Sequence, residues 1–337
     1  MREDERHAIR VVALSFRATA EARASASSRS PSLCGSGSCP AITMNASEYY
    51  DVYPELEHRA GDVWVGLPTF GMLPFDNIAG VVVTPACDLQ NSKSASITYL
   101  PLIPLRCALY VPPLCHELLR AFNGQLQQLQ LQQFLLEIPA PLLPNETYFR
   151  SVEDKIRVIE GGERVSEKEK GAVTRIKYCL KALRVSVSRD PEAMRLDPIQ
   201  NAIGFASFEE LLRRLITNAA RTDLHFLPDD RQRIEWSAIV EHSLVLFRFP
   251  MSAPVEVFNL AQDVDVRDWA TGLSKLAYLG SGIGRFAESR PVKRITIRPR
   301  YMADLLTRYV SMHVRLGSPD FADETVTTYI REIGEKK

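Results

Sequence analysis

The segment from Gly61 to Leu105 limits the possible folds of this sequence more than any other part of the chain. It reads as short strands in succession, each rich in aliphatic or aromatic residues and each closed by turn residues. The strands and the prolines that end or interrupt them are Asp62–Leu67 with Pro68, Gly80–Thr84 with Pro85, and Ile97–Leu105 with Pro101 and Pro104. Short strands that end in turn residues and prolines are typical of small, strongly curved sheets. We therefore expect an SH3-like β-barrel over residues 44–113.

Composition describes an ordinary soluble chain of 337 residues, of which 45% are apolar and 24% are charged. Lys plus Arg and Asp plus Glu both number 41, so no overall positive field would hold a polyanion. Binding of RNA or DNA would require a local basic patch. No apolar run reaches the roughly 18 residues that cross a bilayer, so we expect a cytoplasmic protein with no membrane partner.

The six cysteines do not form a metal-binding pattern. They include no C-x-x-C pair, and Cys34 and Cys39 are not followed by a second pair of ligands at zinc-finger spacing. The glycine-rich stretch at residues 280–284 lacks the lysine of a Walker loop and the spacing of a dinucleotide-binding loop. We therefore expect reduced thiols, no metal and no cofactor.

The organisation of the chain changes at about Met44 and again after residue 113. Residues 1–43 are small, polar and low in complexity, and they predict a disordered leader, or one that is not translated, with the functional protein starting at Met44. Residues 114–337 read as a mixed helical and strand region. The predicted elements there are helices at Cys115–Leu136, Ser166–Arg184, Ser207–Ala220 and Arg300–Arg315, and strands at Asp223–Leu227, Trp236–Phe249 and Pro291–Arg298. The predicted fold class is α+β.

The Gly61–Leu105 segment resembles the start of the PemK/MazF toxin barrel. The matching residues are Gly61, Asp62, Val63, Trp64, Val81, Val82, Val83, Thr84, Pro85, Asn91 and Pro104. The resemblance implies an RNA endonuclease, whose family carries Arg-Pro before the second strand and Thr or Ser after the third. This chain has Ala79-Gly80 and Leu105-Arg106 at those places, so the arginine that would stabilise the transition-state charge is missing. We therefore favour a barrel that binds over one that cleaves.

A second resemblance lies in the turn after the second strand. Cys87-Asp88-Leu89 is similar to a Thr-Cys-Asp-Leu turn in bacterial proteins associated with mobile elements and phage defence, and residues 314–319 are similar to their ending. One interpretation makes Cys87 a nucleophile or a ligand; the other has it packed beneath the turn, with Asp88 capping nearby backbone amides. The candidate binding residues are Cys87, Asp88, Asn91, Lys93 and Arg106.

The densest cationic cluster follows residue 291. Its candidate phosphate contacts are Lys293, Arg294, Arg298 and Arg300. The alternative is a solvated strand face followed by a helix.

Together these patterns predict a non-enzymatic binding or accessory component of a bacterial intracellular system, related to phage defence or to toxin–antitoxin pairs, with a protein partner. The alternatives are a PemK/MazF-class RNA endonuclease and a DNA-binding regulator that uses the C-terminal basic cluster.

Overall fold

The structure is a computed structural model that describes residues 49–51, 55–91, 93–111, 114–138, 143–188, 190–229, 241–263 and 268–313. All of these residues belong to the unit Asn45–Lys337. The predicted leader over residues 1–43, the start at Met44 and the ending at 314–319 lie outside the described residues, as does the first part of the strand predicted at Trp236–Phe249.

Short strands from both halves of the chain form one sheet. In chain order they are β1 Tyr50–Asp51, β2 Asp62–Pro68, β3 Asn77–Val82, β4 Ser96–Pro104, β5 Leu224–Leu227, β6 Ser243–Leu246, β7 Met251–Pro254 and β8 Val292–Ile297. Helices occupy most of the remaining described residues. They are α1 Ala86–Gln90, α2 Leu105–Ala108, α3 His116–Gln128, α4 Glu146–Glu160, α5 Glu167–Ser188, α6 Leu196–Ile203, α7 Phe205–Ile216, α8 Val255–Gln262, α9 Trp269–Ser274 and α10 Pro299–His313.

The sheet is antiparallel and confirms the α+β class. Its strand order is β1-β8-β2-β3-β4-β6-β5, and β7 pairs with β4 beside β6. In the described residues β1 and β5 remain the two ends of this order, so the sheet is not closed into a barrel. The strands predicted as a separate barrel pair directly with strands from the second half of the chain, β8 beside β2 and β6 beside β4.

Apolar side chains cover both faces of the sheet because successive residues of each strand point to opposite sides. Trp64, Val82 and Tyr99 pack on one face with α3, α5 and α6, in the larger core. Their neighbours Val63, Val81 and Leu100 pack on the other face with residues of α10. This double burial explains why β3 and β4 read as nearly continuous apolar runs and not as alternating patterns.

The two prolines of β4 lie at positions where the sheet does not need a hydrogen bond from a backbone N–H group. Even-numbered residues of β4 pair by hydrogen bonds with β3, and odd-numbered residues face β6 and β7, as the bonds Val83 N to Thr98 O and Leu105 N to His242 O show. Pro101 therefore faces the junction where β6 ends and β7 begins. Pro104 faces β3 at the end of the strand.

One predicted helix start is wrong. The sequence predicted that α7 starts at Ser207, because Ser207 and Glu210 have the spacing of a capping box, but the helix begins at Phe205, after Gly204. Gly204 has φ of +89°, a conformation that a residue with a Cβ rarely adopts. The glycine thus sets the boundary between α6 and α7, and Ser207 lies inside the first turn.

Candidate binding cleft between β3 and β4

A cleft opens where β3 and β4 stop pairing. Their register runs from Val82↔Tyr99 to Ala79↔Leu102. By alternation, the next hydrogen-bonded pair would join Asn77 to Pro104, but Pro104 has no N–H to donate. Among the described pairings the ladder ends at Ala79, and the ends of the two strands border the cleft.

The cleft has a volume of about 280 Å³ and a mainly apolar wall. Its lining residues are Gly66, Phe75, Asn77, Ile78, Ala79, Leu102, Ile103, Pro104, Arg106, Cys107, Pro191, Glu241 and Ser243. The volume is close to the lower end of the roughly 300–1,000 Å³ of small-molecule pockets, and it is large enough for one or two side chains of a larger molecule. A few polar groups on an apolar wall are the usual composition of a recognition pocket.

Arg106 is held in a fixed position at the edge of this cleft. Its Nε donates to both carboxylate oxygens of Glu241, at 3.1 and 3.0 Å. Its Nη1 donates to the carbonyl oxygens of Pro191, at 2.6 Å, and Met194, at 3.1 Å. These bonds tie α2 to the segment before α6 and to the start of β6, and they engage much of the donor capacity of the guanidinium.

The nucleophilic groups of the cleft are not activated. Cys107 is buried, and burial raises the pKa of its thiol to about 11, so the thiol stays protonated at neutral pH. Ser243 is also buried, and its hydroxyl donates to the Glu241 carbonyl oxygen at 2.9 Å. Neither side chain is hydrogen-bonded to a histidine in the described contacts, so the arrangement lacks the nucleophile–base pair that covalent catalysis requires.

Carboxylates dominate the charge at the mouth of the cleft. Glu241 lines it, and Glu192 is close enough to act electrostatically on both Arg106 and Cys107. Asp76 is exposed and directly precedes the lining residue Asn77. Arg106 is the one cation among the described lining residues, and its guanidinium is already paired with Glu241.

The other predicted binding residues lie far from Arg106. Cys87 and Asp88 are on α1, which follows β3 and lies beside the start of β4, whereas Arg106 follows the end of β4. A strand of this length spans roughly 26 Å. Asn91 and Lys93 belong to the turn after α1, where the side-chain Nδ2 of Asn91 donates to the Cys87 carbonyl oxygen at 2.6 Å. The structure therefore does not bring the five predicted residues into one site.

Cys87 does not pack beneath its turn, as one interpretation of the sequence expected. Its side chain is exposed, because α1 presents it to solvent, and its Sγ lies 3.6 Å from the Asp88 carboxylate. The amides of Lys93 and Ser94 donate to the backbone carbonyl oxygen of Asp88, at 2.8 and 3.1 Å. In these contacts the Asp88 backbone, and not its carboxylate, accepts the turn amides.

Lys293 is buried and fully engaged, which corrects its prediction as a phosphate contact. Only 4% of its side chain is exposed, and its Nζ lies 2.9 Å from the fully buried carboxylate of Asp62. The same Nζ donates to the carbonyl oxygens of Glu55 and Glu57, each at 2.8 Å. Three donors on the ammonium therefore have three acceptors inside the protein.

The remaining predicted phosphate contacts are more exposed than Lys293. Arg294 is half-buried on β8, while Arg298 and Arg300 are exposed at the start of α10. The guanidinium of Arg300 stacks 4.4 Å above the ring of Tyr301. The cluster predicted from four neighbouring cations is thus reduced to three, with Arg300 in a cation–π contact.

The described residues contain no group of three or more His, Cys, Asp or Glu side chains that could hold a metal ion. In the same residues no helix combines the length and the apolar character needed to traverse a bilayer. Comparison of the chain with protein-family models, curated proteins and solved structures gives no match.

Proposed function

We propose that this protein is a binding module that holds a segment of a partner protein in the cleft between β3 and β4. The observation that carries the proposal is the state of Arg106. The cleft is mainly apolar, and this guanidinium, the one cation among the described lining residues, is engaged by Glu241 and by two backbone carbonyls. A guanidinium that is paired with a carboxylate in this way forms part of the wall of a pocket and adds little net charge to it. The raised pKa of Cys107 further favours binding over covalent chemistry.

The setting of this function follows the sequence resemblances. We infer an accessory component of a bacterial intracellular system, related to phage defence or to toxin–antitoxin pairs. The sheet would then be an opened relative of the SH3-like barrel. The antiparallel succession β2-β3-β4, with β8 adjacent to β2, supports this relationship.

Blocking the cleft tests the proposal. Asn77 is exposed, opens β3 and lines the cleft, so Asn77→Trp places an indole at its mouth without disturbing the core. The control is Ser252→Trp, also exposed and also on a strand beside β4, but paired near the start of β4. Peptides are selected from a phage-displayed library on the full chain, and their binding is measured by fluorescence polarisation.

We expect Asn77→Trp to weaken the selected peptides by about tenfold or more, and Ser252→Trp to leave them unchanged. If neither substitution changes binding, or if no peptide is selected, the proposal is wrong.

One observation favours the endonuclease as a second candidate. The cleft lies at both positions where the PemK/MazF resemblance would place the catalytic groups, because Ala79 and Arg106 both line it. Incubation of the chain with single-stranded and structured RNA should give no specific products if the protein only binds. Specific cleavage that is lost in Arg106→Ala but kept in Arg120→Ala would establish the endonuclease instead. Arg120 is a suitable control because it is an exposed arginine paired with Glu117 on α3.

A further inference from the structure

The mouth of the cleft has a charge that selects among possible partner segments. Glu241, Glu192 and Asp76 are the acidic groups, and the guanidinium of Arg106 is the single cation that lines the cleft in the described residues. Arg195 is exposed nearby, but its guanidinium is not among the lining groups. Among the described groups near the mouth, carboxylates therefore outnumber the guanidinium, and this charge would repel a polyanion.

We infer that the cleft takes an extended peptide segment in which an aliphatic side chain stands next to a lysine or an arginine. This inference rests on the proposed function and specifies its ligand. The aliphatic side chain would contact the wall formed by Phe75, Ile78 and Ile103. The adjacent cation would lie near Glu192, which follows the lining residue Pro191, and near Asp76, which precedes the lining residue Asn77. A volume of about 280 Å³ accommodates such a side chain with part of its backbone.

An acidic segment fits the same cleft poorly. Its carboxylate would need Arg106, whose Nε already donates to both oxygens of Glu241 and whose Nη1 donates to Pro191 and Met194. Release of Glu241 would leave that carboxylate beside the incoming one, and like charges at such distances repel. A basic segment keeps every one of these hydrogen bonds.

The extended conformation of the ligand follows from the ends of the two strands. Beyond the pair Ala79↔Leu102, the described pairings do not join the backbone of β3 to that of β4. The Pro104 carbonyl oxygen points toward β3 by the alternation of the ladder, and Asn77 points toward β4. A short extended backbone can supply hydrogen-bonding partners to both.

Charge reversal at the mouth tests the inference separately from the proposed function. The peptides selected on the full chain are sequenced and then titrated against Asp76→Lys and Glu192→Lys, two exposed positions whose side chains make no core contact. The control is Glu163→Lys, an exposed carboxylate between α4 and α5. Binding is measured at low and at high salt.

We expect the selected peptides to be enriched in Lys or Arg beside Leu, Ile or Val. Each reversal at the mouth should weaken them about fivefold, high salt should weaken them similarly, and Glu163→Lys should have no effect. Peptides that carry no excess of cations but still lose affinity in Asn77→Trp would overturn this inference and leave the proposed function in place. Peptides that are insensitive to Asn77→Trp would overturn both.

Discussion

The two ion pairs that involve predicted functional residues have opposite environments. Lys293 and Asp62 form a pair inside the protein, with 4% and 0% of their side chains exposed, whereas 27% of Arg106 and 37% of Glu241 remain exposed at the cleft. The buried pair also binds the turn before β2, through the carbonyls of Glu55 and Glu57. The comparison teaches that a pair of opposite charges can stabilise the fold where both side chains are buried, and that a similar pair remains accessible where it borders the proposed binding cleft.

The first prediction concerns the cost of breaking each pair. Asp62→Ala leaves the ammonium of Lys293 buried without its counter-charge, and removes the acceptor of the Thr296 hydroxyl at 2.8 Å. We expect the free energy of unfolding to fall by about 3–5 kcal/mol. Glu241→Ala exposes Arg106 to water that can replace the lost acceptor, so we expect a loss of about 1 kcal/mol or less.

Urea unfolding followed by circular dichroism measures both changes. The double variant Asp62→Asn with Lys293→Met removes both charges, and we expect it to recover part of the stability lost in Asp62→Ala. A larger loss in Glu241→Ala than in Asp62→Ala would contradict the assignment of the buried pair to folding.

The second prediction concerns a buried histidine on the face that α10 covers. His225 on β5 is 1% exposed, and burial lowers the pKa of its imidazole from 6.5 to about 4. The folded protein therefore holds this ring neutral, while the unfolded chain takes up a proton below pH 6.5. The contribution of His225 to the free energy of unfolding should be fully present above pH 6.5. It should be lost as the pH falls from 6.5 toward 4, by about 3 kcal/mol in total.

Replacement of the ring separates this contribution from those of other groups. His225→Phe removes the titrating group and its contact with the Tyr49 hydroxyl, 3.3 Å away. We expect it to reduce the dependence of the unfolding free energy on pH between 4 and 6.5, whatever its effect at neutral pH; the lowered pKa values of His58 and His116 leave part of the dependence in place. His242→Phe serves as the control, since His242 is 46% exposed. Equal slopes for wild type and His225→Phe would show that His225 does not carry the dependence.

Local patterns in the sequence were sufficient to predict many of the elements. The strands β2, β3 and β4 were predicted from apolar runs and prolines, and α3 and α5 from helical spacing. The last helix, α10, was predicted from Pro299 at its first turn. The helix α4 was missed, although Phe149, Val152 and Ile156 repeat at helical spacing and the Asn145 side chain accepts from the Tyr148 amide at 3.0 Å. The signal was present there, since Asn before a helical repeat is a common helix start.

The cleft could not be predicted in the same way because its groups come from distant parts of the chain. Glu241 reaches Arg106 across 135 positions, and no local pattern connects them. The burial of Lys293 depends on a register shift: Val63 pairs with Ile295 but Trp64 pairs with Lys293, so one extra residue on β8 reverses the expected alternation. A bulge of this kind depends on the partner strand and leaves no mark in the alternation VKRITI itself.

The smallest expected effect concerns Cys87, the exposed thiol at the far end of β4 from the cleft. Cys115 and Cys179 are buried, and burial raises the pKa of their thiols to about 11 and about 12, so they should react with iodoacetamide only after unfolding. Cys87 should react in the folded protein, and peptide mapping by mass spectrometry identifies the modified residue.

Cys87→Ser should change the free energy of unfolding by about 0.5 kcal/mol or less, since an exposed side chain buries little. Binding of the selected peptides should stay within a few-fold, because Cys87 is not among the described residues that line the cleft. A strong loss of binding in Cys87→Ser would move the functional site from the Arg106 end of β4 to the α1 end.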